Sequence, residues 1–201
     1  MYENFLIATR SRIYFYDNIT EFAHVYKYMK RKNRMSKKNI ILIGMPTSGK
    51  STVGVILAKL LGMDFVDSDL VIQRKAGKKL SQIISEEGLD GFIQMEENVC
   101  CAIEAENTVI ATGGSVVYGA KAMEHFREIG QVVYLKIDYE TLEKRLHHTK
   151  QRGVVLRPGQ SKRDLYDERT VLYEKYADII LSEEGMGIEE TVQKLAGMIN
   201  D

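Results

Sequence analysis

The chain has 201 residues, 44% of them hydrophobic and 28% charged, which suits one well-buried α/β domain and is short for two. Lys plus Arg and Asp plus Glu number 28 each, so nothing in the overall charge points to a nucleic-acid or membrane-surface partner. No apolar run has the length of a transmembrane helix and the N-terminus lacks the apolar region of a signal peptide, so the expectation is a cytoplasmic protein.

Residues 1–34 differ from the remainder. They hold five of the eleven tyrosines, and seven basic residues against three acidic ones, a net charge of 7 − 3 = +4. A weak alternation around Ile13, Phe15 and Tyr16 reads as a strand, and the stretch FAHVYKYMKRKNR as a basic amphipathic helix. The favoured reading is plainer: residues 1–34 are an N-terminal extension, artefactual or disordered, and the domain proper is 35–201, because Met35 and a short polar stretch lead straight into the first strand.

That strand is the run NIILI, residues 39–43, apolar and β-branched as a strand buried on both faces should be. It leads into GMPTSGKST, where Gly44, Gly49, Lys50 and Ser51 occupy the fixed positions of GxxxxGK[ST]. Glycines let successive backbone N–H groups of the loop, Thr47 and Ser48 among them, curl around phosphate oxygens, and the following helix adds its positive end. Lys50 supplies a point charge to the β- and γ-phosphates, Ser51 a hydroxyl to Mg²⁺, and Thr52 is placed to reach the phosphates. Val53, Leu57, Leu60 and Leu61 then recur at helical spacing until Gly62 closes the helix.

A short strand follows and ends in Asp67-Ser68-Asp69, after which Ser68 or Asp69 is expected to cap the helix LVIQRKA before Gly77. Two carboxylates at the carboxyl end of a strand beside a phosphate loop exceed what capping needs. LSQIISEEG and GFIQMEENVCCAIEA read as two helices. The strand at 107–112 runs into Gly113-Gly114, which brings bare backbone to the same sheet edge. A helix over 120–129, a strand over 131–137 and a helix carrying Leu142, Arg145 and Leu146 come next. TKQRGVVLRPGQS, residues 149–161, holds two glycines, Pro158, Lys150, Arg152 and Arg157, the composition of a mobile cationic flap over phosphates. A helix over 162–176, a strand over 178–181 and a last helix complete five strands alternating with helices, a parallel sheet covered on both faces. Cys100 and Cys101 read as reduced, partly buried thiols with no metal or redox role, and His125, His147 and His148 as solvated surface residues.

GMPTSGKSTVG, GMDFVDSD, EEGLDGFIQMEE, VIATGG and LYEKYAD together give residues 38–200 a resemblance to the shikimate kinase family. The resemblance implies a three-layer P-loop fold with a five-stranded parallel sheet in the order 2-3-1-4-5, a helical substrate-binding section around 68–96, and a lid near 149–160. It implies ATP and Mg²⁺, with Lys50 and Ser51 similar to the family's phosphate lysine and metal ligand. Asp67 matches the aspartate that holds Mg²⁺ through water, and Asp69 the one beside the attacking hydroxyl. Gly113 and Gly114 fall in the substrate loop TGGG. Arg145 resembles the arginine near adenine, Arg152 the lid arginine, Arg169 the one that holds the substrate carboxylate, and Glu96 a glutamate that orients a neighbouring arginine.

Three positions depart from the pattern. Ile93 stands where the family has a carboxylate-clamping arginine, Ser115 where TGGG has its third glycine, and Gly153 follows Arg152 where the family has proline, although Arg157-Pro158 is a second candidate. All three fall on the acceptor side. The expected protein is a monomeric, ATP-dependent small-molecule kinase with shikimate as leading acceptor and Lys50, Asp69 and Arg152 as its catalytic set. A kinase for another polyol or hydroxy acid, and a non-catalytic nucleotide-binding regulator, are its rivals.

Overall fold

The computed structural model describes residues 5–8, 13–16, 39–148 and 156–200. The chain divides into two units, Met1–Lys37 and Lys38–Asp201. In the first, β1 (Phe5–Ala8) pairs antiparallel with β2 (Ile13–Tyr16), Phe5 opposite Tyr16 and Ala8 opposite Ile13. The alternation around Ile13 is thus a strand, while the basic stretch 22–34 lies outside the described residues.

The second unit runs β3 (Asn39–Ile43), α1 (Lys50–Leu61), β4 (Asp64–Asp67), α2 (Ser68–Ala76), α3 (Leu80–Cys101), β5 (Thr108–Ala111), α4 (Ala120–Ile129), β6 (Gly130–Lys136), α5 (Tyr139–His148), α6 (Lys162–Tyr176), β7 (Ile179–Ser182) and α7 (Ile188–Asn200). Its strands form one parallel sheet in the order β4-β5-β3-β6-β7, which is 2-3-1-4-5 when they are numbered by themselves. Side chains alternate across a strand, so Ile41 and Ile43 pack with Met123, Phe126 and Tyr173 on one face. Ile40 and Leu42 pack with Val53, Leu57 and Leu195 on the other. The expectation of five buried strands holds for β3 and β5 and nearly for β6. The edge strands β4 and β7 are only partly buried, since each has a neighbour on one side alone.

At the amino end of the sheet the buried Asn39 satisfies its whole amide. Its Nδ2 donates to the carbonyls of Ala105 (2.6 Å) and Ile129 (3.0 Å), and its Oδ1 accepts from Thr108 N–H (3.0 Å). Gly62 and Gly77 close their helices with φ of 68° and 64°. The two helices expected over 80–105 run together as α3, with a non-helical Gly88 at the expected break and an end at Cys101. Ile72, Ile83, Phe92 and Val99 give α2 and α3 a small apolar core of their own.

Two expectations are corrected. Neither Ser68 nor Asp69 caps α2: the extended backbone of Asp67 lets its Oδ1 accept from Asp69 N–H at 3.0 Å and Leu70 N–H at 3.4 Å. His125 is half-buried with its Nε2 2.9 Å from the Ile103 carbonyl, so it ties α4 to the end of α3 instead of facing water; His147 is exposed as expected. Cys100 is buried, Cys101 half-buried, and both are free thiols. Burial pushes the Cys100 thiol up and leaves it unreactive. Among the described residues no helix is long and apolar enough to cross a membrane.

Candidate active site

The turn from β3 into α1 is built on backbone few residues tolerate. Gly44, Thr47 and Gly49 have φ of 148°, 67° and 88°, and a Cβ on Gly44 would lie 2.6 Å from the Leu135 carbonyl. Lys50, at the first turn of α1 and 6% exposed, donates to the carbonyls of Gly44 (2.8 Å) and Met45 (2.7 Å) and to Ser48 Oγ (3.3 Å). Its ammonium is therefore held in the loop that should cradle phosphates. Thr47 turns its carbonyl to Arg145 (3.0 Å) and buries a hydroxyl with no hydrogen-bond partner among the described residues.

The end of β4 meets the start of α1. Ser51 Oγ donates to Asp67 Oδ2 at 2.7 Å while Asp67 Oδ1 caps α2, so one carboxylate fixes both helix starts. Among the described residues no three His, Cys, Asp or Glu side chains gather into a metal cage. Ser51 and Asp67 supply the one or two protein oxygens suited to a Mg²⁺ held mainly by phosphates and water.

One cavity of about 430 Å³ joins this loop to the carboxyl end of β5, within the usual range for small-molecule sites. Pro46, Thr47 and Gly49 to Thr52 line it on one side. Asp69, Glu96, Thr112 to Ser115 and Arg169 line it on the other, with Leu80, Ile84, Leu89 and Phe92 as an apolar wall from α3. Lys50, Asp69, Gly113, Gly114 and Arg169, far apart in sequence, thus face one space. The paired glycines have separate causes. A Cβ on Gly113 would collide with Glu96 Oε1 and come within 2.9 Å of Asp69 Oδ1, and one on Gly114 would lie 2.7 Å from Pro46 Cδ. A plain turn would need neither.

Glu96 is 1% exposed, accepts from Ser115 Oγ at 2.6 Å through Oε2, and leaves Oε1 without a hydrogen-bond partner among the described residues. Burial pushes its carboxyl up to about 7, against the pull of the Ser115 hydroxyl. The expectation that Glu96 orients a neighbouring arginine is therefore corrected: position 93 is isoleucine, half-buried on α3 and not part of the cavity wall, and a serine hydroxyl does the holding. Arg169, 3% exposed on α6, donates from Nε to Tyr118 Oη at 3.3 Å, with its guanidinium carbon 5.2 Å from the Tyr118 ring centroid. Tyr173 Oη donates to the Gly114 carbonyl at 2.5 Å and its ring stacks on Tyr134 at 4.9 Å, so α6 also steadies the glycine turn.

Arg145 is brought to the P-loop but not into the cavity. Its guanidinium holds the Thr47 carbonyl and meets Glu183 Oε2 at 3.4 Å. Arg152 and Gly153 lie outside the described residues. Arg157 is described: it meets Glu168 at 3.9 Å, and its guanidinium lies 5.6 Å from the Tyr118 ring centroid. The sequence reading missed Tyr118, Tyr173 and the Ser115–Glu96 bond. Tyrosine on a helix reads as core by periodicity, and no spacing rule joins positions 96 and 115.

The family model for shikimate kinase matches residues 46–200. Shikimate kinase from Pasteurella multocida is 36% identical over 169 residues, covering 82% of this chain and 97% of its own. That from Thermodesulfovibrio yellowstonii is 37% identical over 161 residues, covering 79% and 92%. Among solved structures, shikimate kinase from Acinetobacter baumannii, in complex with shikimate, aligns with a TM-score of 0.74 and 33% identity, covering 85% of this chain and 97% of that one. With the match extending over most of this chain and nearly all of its relatives, the chain belongs to the shikimate kinase family of small-molecule kinases.

Proposed function

We propose that the chain transfers the γ-phosphoryl group of ATP to a hydroxyl of shikimate. The observation that carries this reading is the single cavity faced by Lys50 on one side and by Asp69 and Arg169 on the other, since in-line transfer needs donor and acceptor in one water-poor space. The P-loop amides and Lys50 bind the phosphates, with Thr52 in reach of them. Ser51 and Asp67 would hold Mg²⁺, which when bound neutralises charge on the β- and γ-phosphate oxygens. Asp69 orients the attacking hydroxyl. Its proton leaves late in a loose transition state, so Asp69 needs no strongly raised pKa. Arg169, a guanidinium fixed by Tyr118, pairs with the acceptor's carboxylate. The lid arginine is Arg152, and Arg145 borders the nucleotide. We also take residues 35–201 as the kinase unit, in keeping with the division at Lys38.

A second reading, another polyol or hydroxy acid as acceptor, is favoured by one observation. Among the described residues lining the cavity, Arg169 is the one cation on the acceptor side. The test is ADP release with shikimate and with a panel of polyols, the product identified by ³¹P NMR. Stoichiometric phosphorylation of shikimate supports the first reading, and turnover of another acceptor alone would replace it.

A further inference from the structure

The bond between Ser115 and Glu96 has a cost that packing does not explain. Glu96 is almost fully buried, in no ion pair among the described residues, and has one oxygen satisfied while Oε1 has none. Buried polar atoms are rarely left so unless something else is to meet them. Oε1 has a defined direction: it lies against the backbone of Gly113, where a Cβ would collide with it, on the same side as Asp69 Oδ1. Both side chains line the cavity on its acceptor side.

We infer that Ser115 is a positioning residue: its hydroxyl pins one oxygen of Glu96 so that the other is presented to a hydroxyl of the acceptor, next to the hydroxyl that Asp69 orients. Ser115 is itself buried and approaches Glu96 from the turn after the paired glycines. With no arginine at position 93, this hydroxyl is the partner that sets the carboxylate's rotamer. The acceptor class that follows is a vicinal diol, with one hydroxyl for Asp69 and its neighbour for Glu96. This rests on the reading of the cavity as a kinase acceptor site.

The pH behaviour supports a test. The Glu96 carboxyl, raised to about 7 mainly by burial, faces Asp69 on α2, Cys100 on its own helix, Lys50 in the P-loop, and Arg169 and Tyr173 on α6. Only its ionised form accepts through both oxygens, so acceptor binding should tighten as pH rises through about 7. Removing the Ser115 hydroxyl, which holds that pKa down, should move the inflection upward.

The experiment is steady-state kinetics of the full chain with shikimate and ATP from pH 6 to 9, for wild type and for Ser115→Ala, Ser115→Thr and Glu96→Gln. The expected result is a KM for shikimate raised about 10-fold in Ser115→Ala, the loss typical of one hydrogen bond to a charged group. ATP KM should be unchanged, the inflection displaced upward, activity largely restored by Thr, and the inflection gone in Glu96→Gln. Equal losses in both KM values and in kcat, together with a lower melting temperature, would reduce the bond to a structural one and overturn the inference. So would an unchanged Ser115→Ala. If the wild type turns over neither shikimate nor any vicinal diol, the acceptor-site reading falls first and takes the inference with it.

Discussion

The donor and acceptor halves of the cavity are built by different means. On the donor side, function is carried by backbone: three left-handed or glycine-only residues in one turn, a helix start, and a lysine held by main-chain carbonyls. These features sit on the main sheet, next to its fully buried central strand β3, whose Asn39 has its whole amide bonded at the amino end. On the acceptor side, function is carried by side chains gathered from α2, α3, α6 and one turn, over a small apolar core of their own. Among the described residues, Glu96 is held there by Ser115 and Arg169 by Tyr118. A site made of backbone is fixed by the fold. One made of side chains can be retuned by substitution, and of the three departures from the family pattern Ser115 lines it.

The largest effect should come from breaking the donor half. Lys50→Met removes the cation from the loop and should abolish turnover, as loss of the main phosphate charge does elsewhere; wild-type rates in the variant would show that the loop binds no nucleotide. Next is Asp69→Asn. Asp67 is the cap of α2, so this substitution should leave stability nearly untouched while turnover falls about 10²-fold or more. A variant that melts lower but turns over normally when folded would assign Asp69 a structural role.

A smaller effect separates the halves by pH. Glu96 binds its proton more tightly folded than unfolded, about 7 against an ordinary 4.5. Between those values the native state holds more protons than the unfolded one, and stability falls as pH rises. Glu96→Gln should flatten that decline in melting temperature, and an unchanged slope would mean that the carboxyl ionises normally. The smallest effect is expected outside both halves: a chain starting at Met35 should keep the melting temperature and activity of the full chain, and a loss of several degrees would make residues 1–34 part of the fold.

Much of the donor half was legible in the sequence because its physics is local. Gly44, Gly49, Lys50 and Ser51 lie within eight residues, between a strand and a helix that their own periodicity announces. Sheet order came through the resemblance and agrees with the structure. The acceptor half was legible only as a set of residues. Which of Asp67, Ser68 and Asp69 caps α2 depends on where β4 stops, and no propensity fixes that within a residue. The partner of Glu96 lies 19 positions away, across a turn. Tyr118 and Tyr173 act through one hydroxyl each, while their rings look like core. Gly113 and Gly114 were rightly read as too many for a turn, but only packing shows that one makes room for Glu96 and the other for Pro46.

The central claim is an ordinary donor half serving an acceptor half that lacks the arginine the family pattern has at position 93. It is tested most directly by measuring kcat and the KM for ATP and for shikimate in the wild type and in Ile93→Arg. Position 93 is three residues before Glu96 on α3, near enough for that carboxylate to steady a new arginine. The account predicts turnover of shikimate by the wild type with an ordinary KM for ATP. In Ile93→Arg the KM for shikimate should fall by about 10- to 100-fold, the worth of a bidentate arginine–carboxylate contact, with kcat little changed. A low-micromolar KM for shikimate in the wild type that the substitution leaves unchanged or worsens would contradict it.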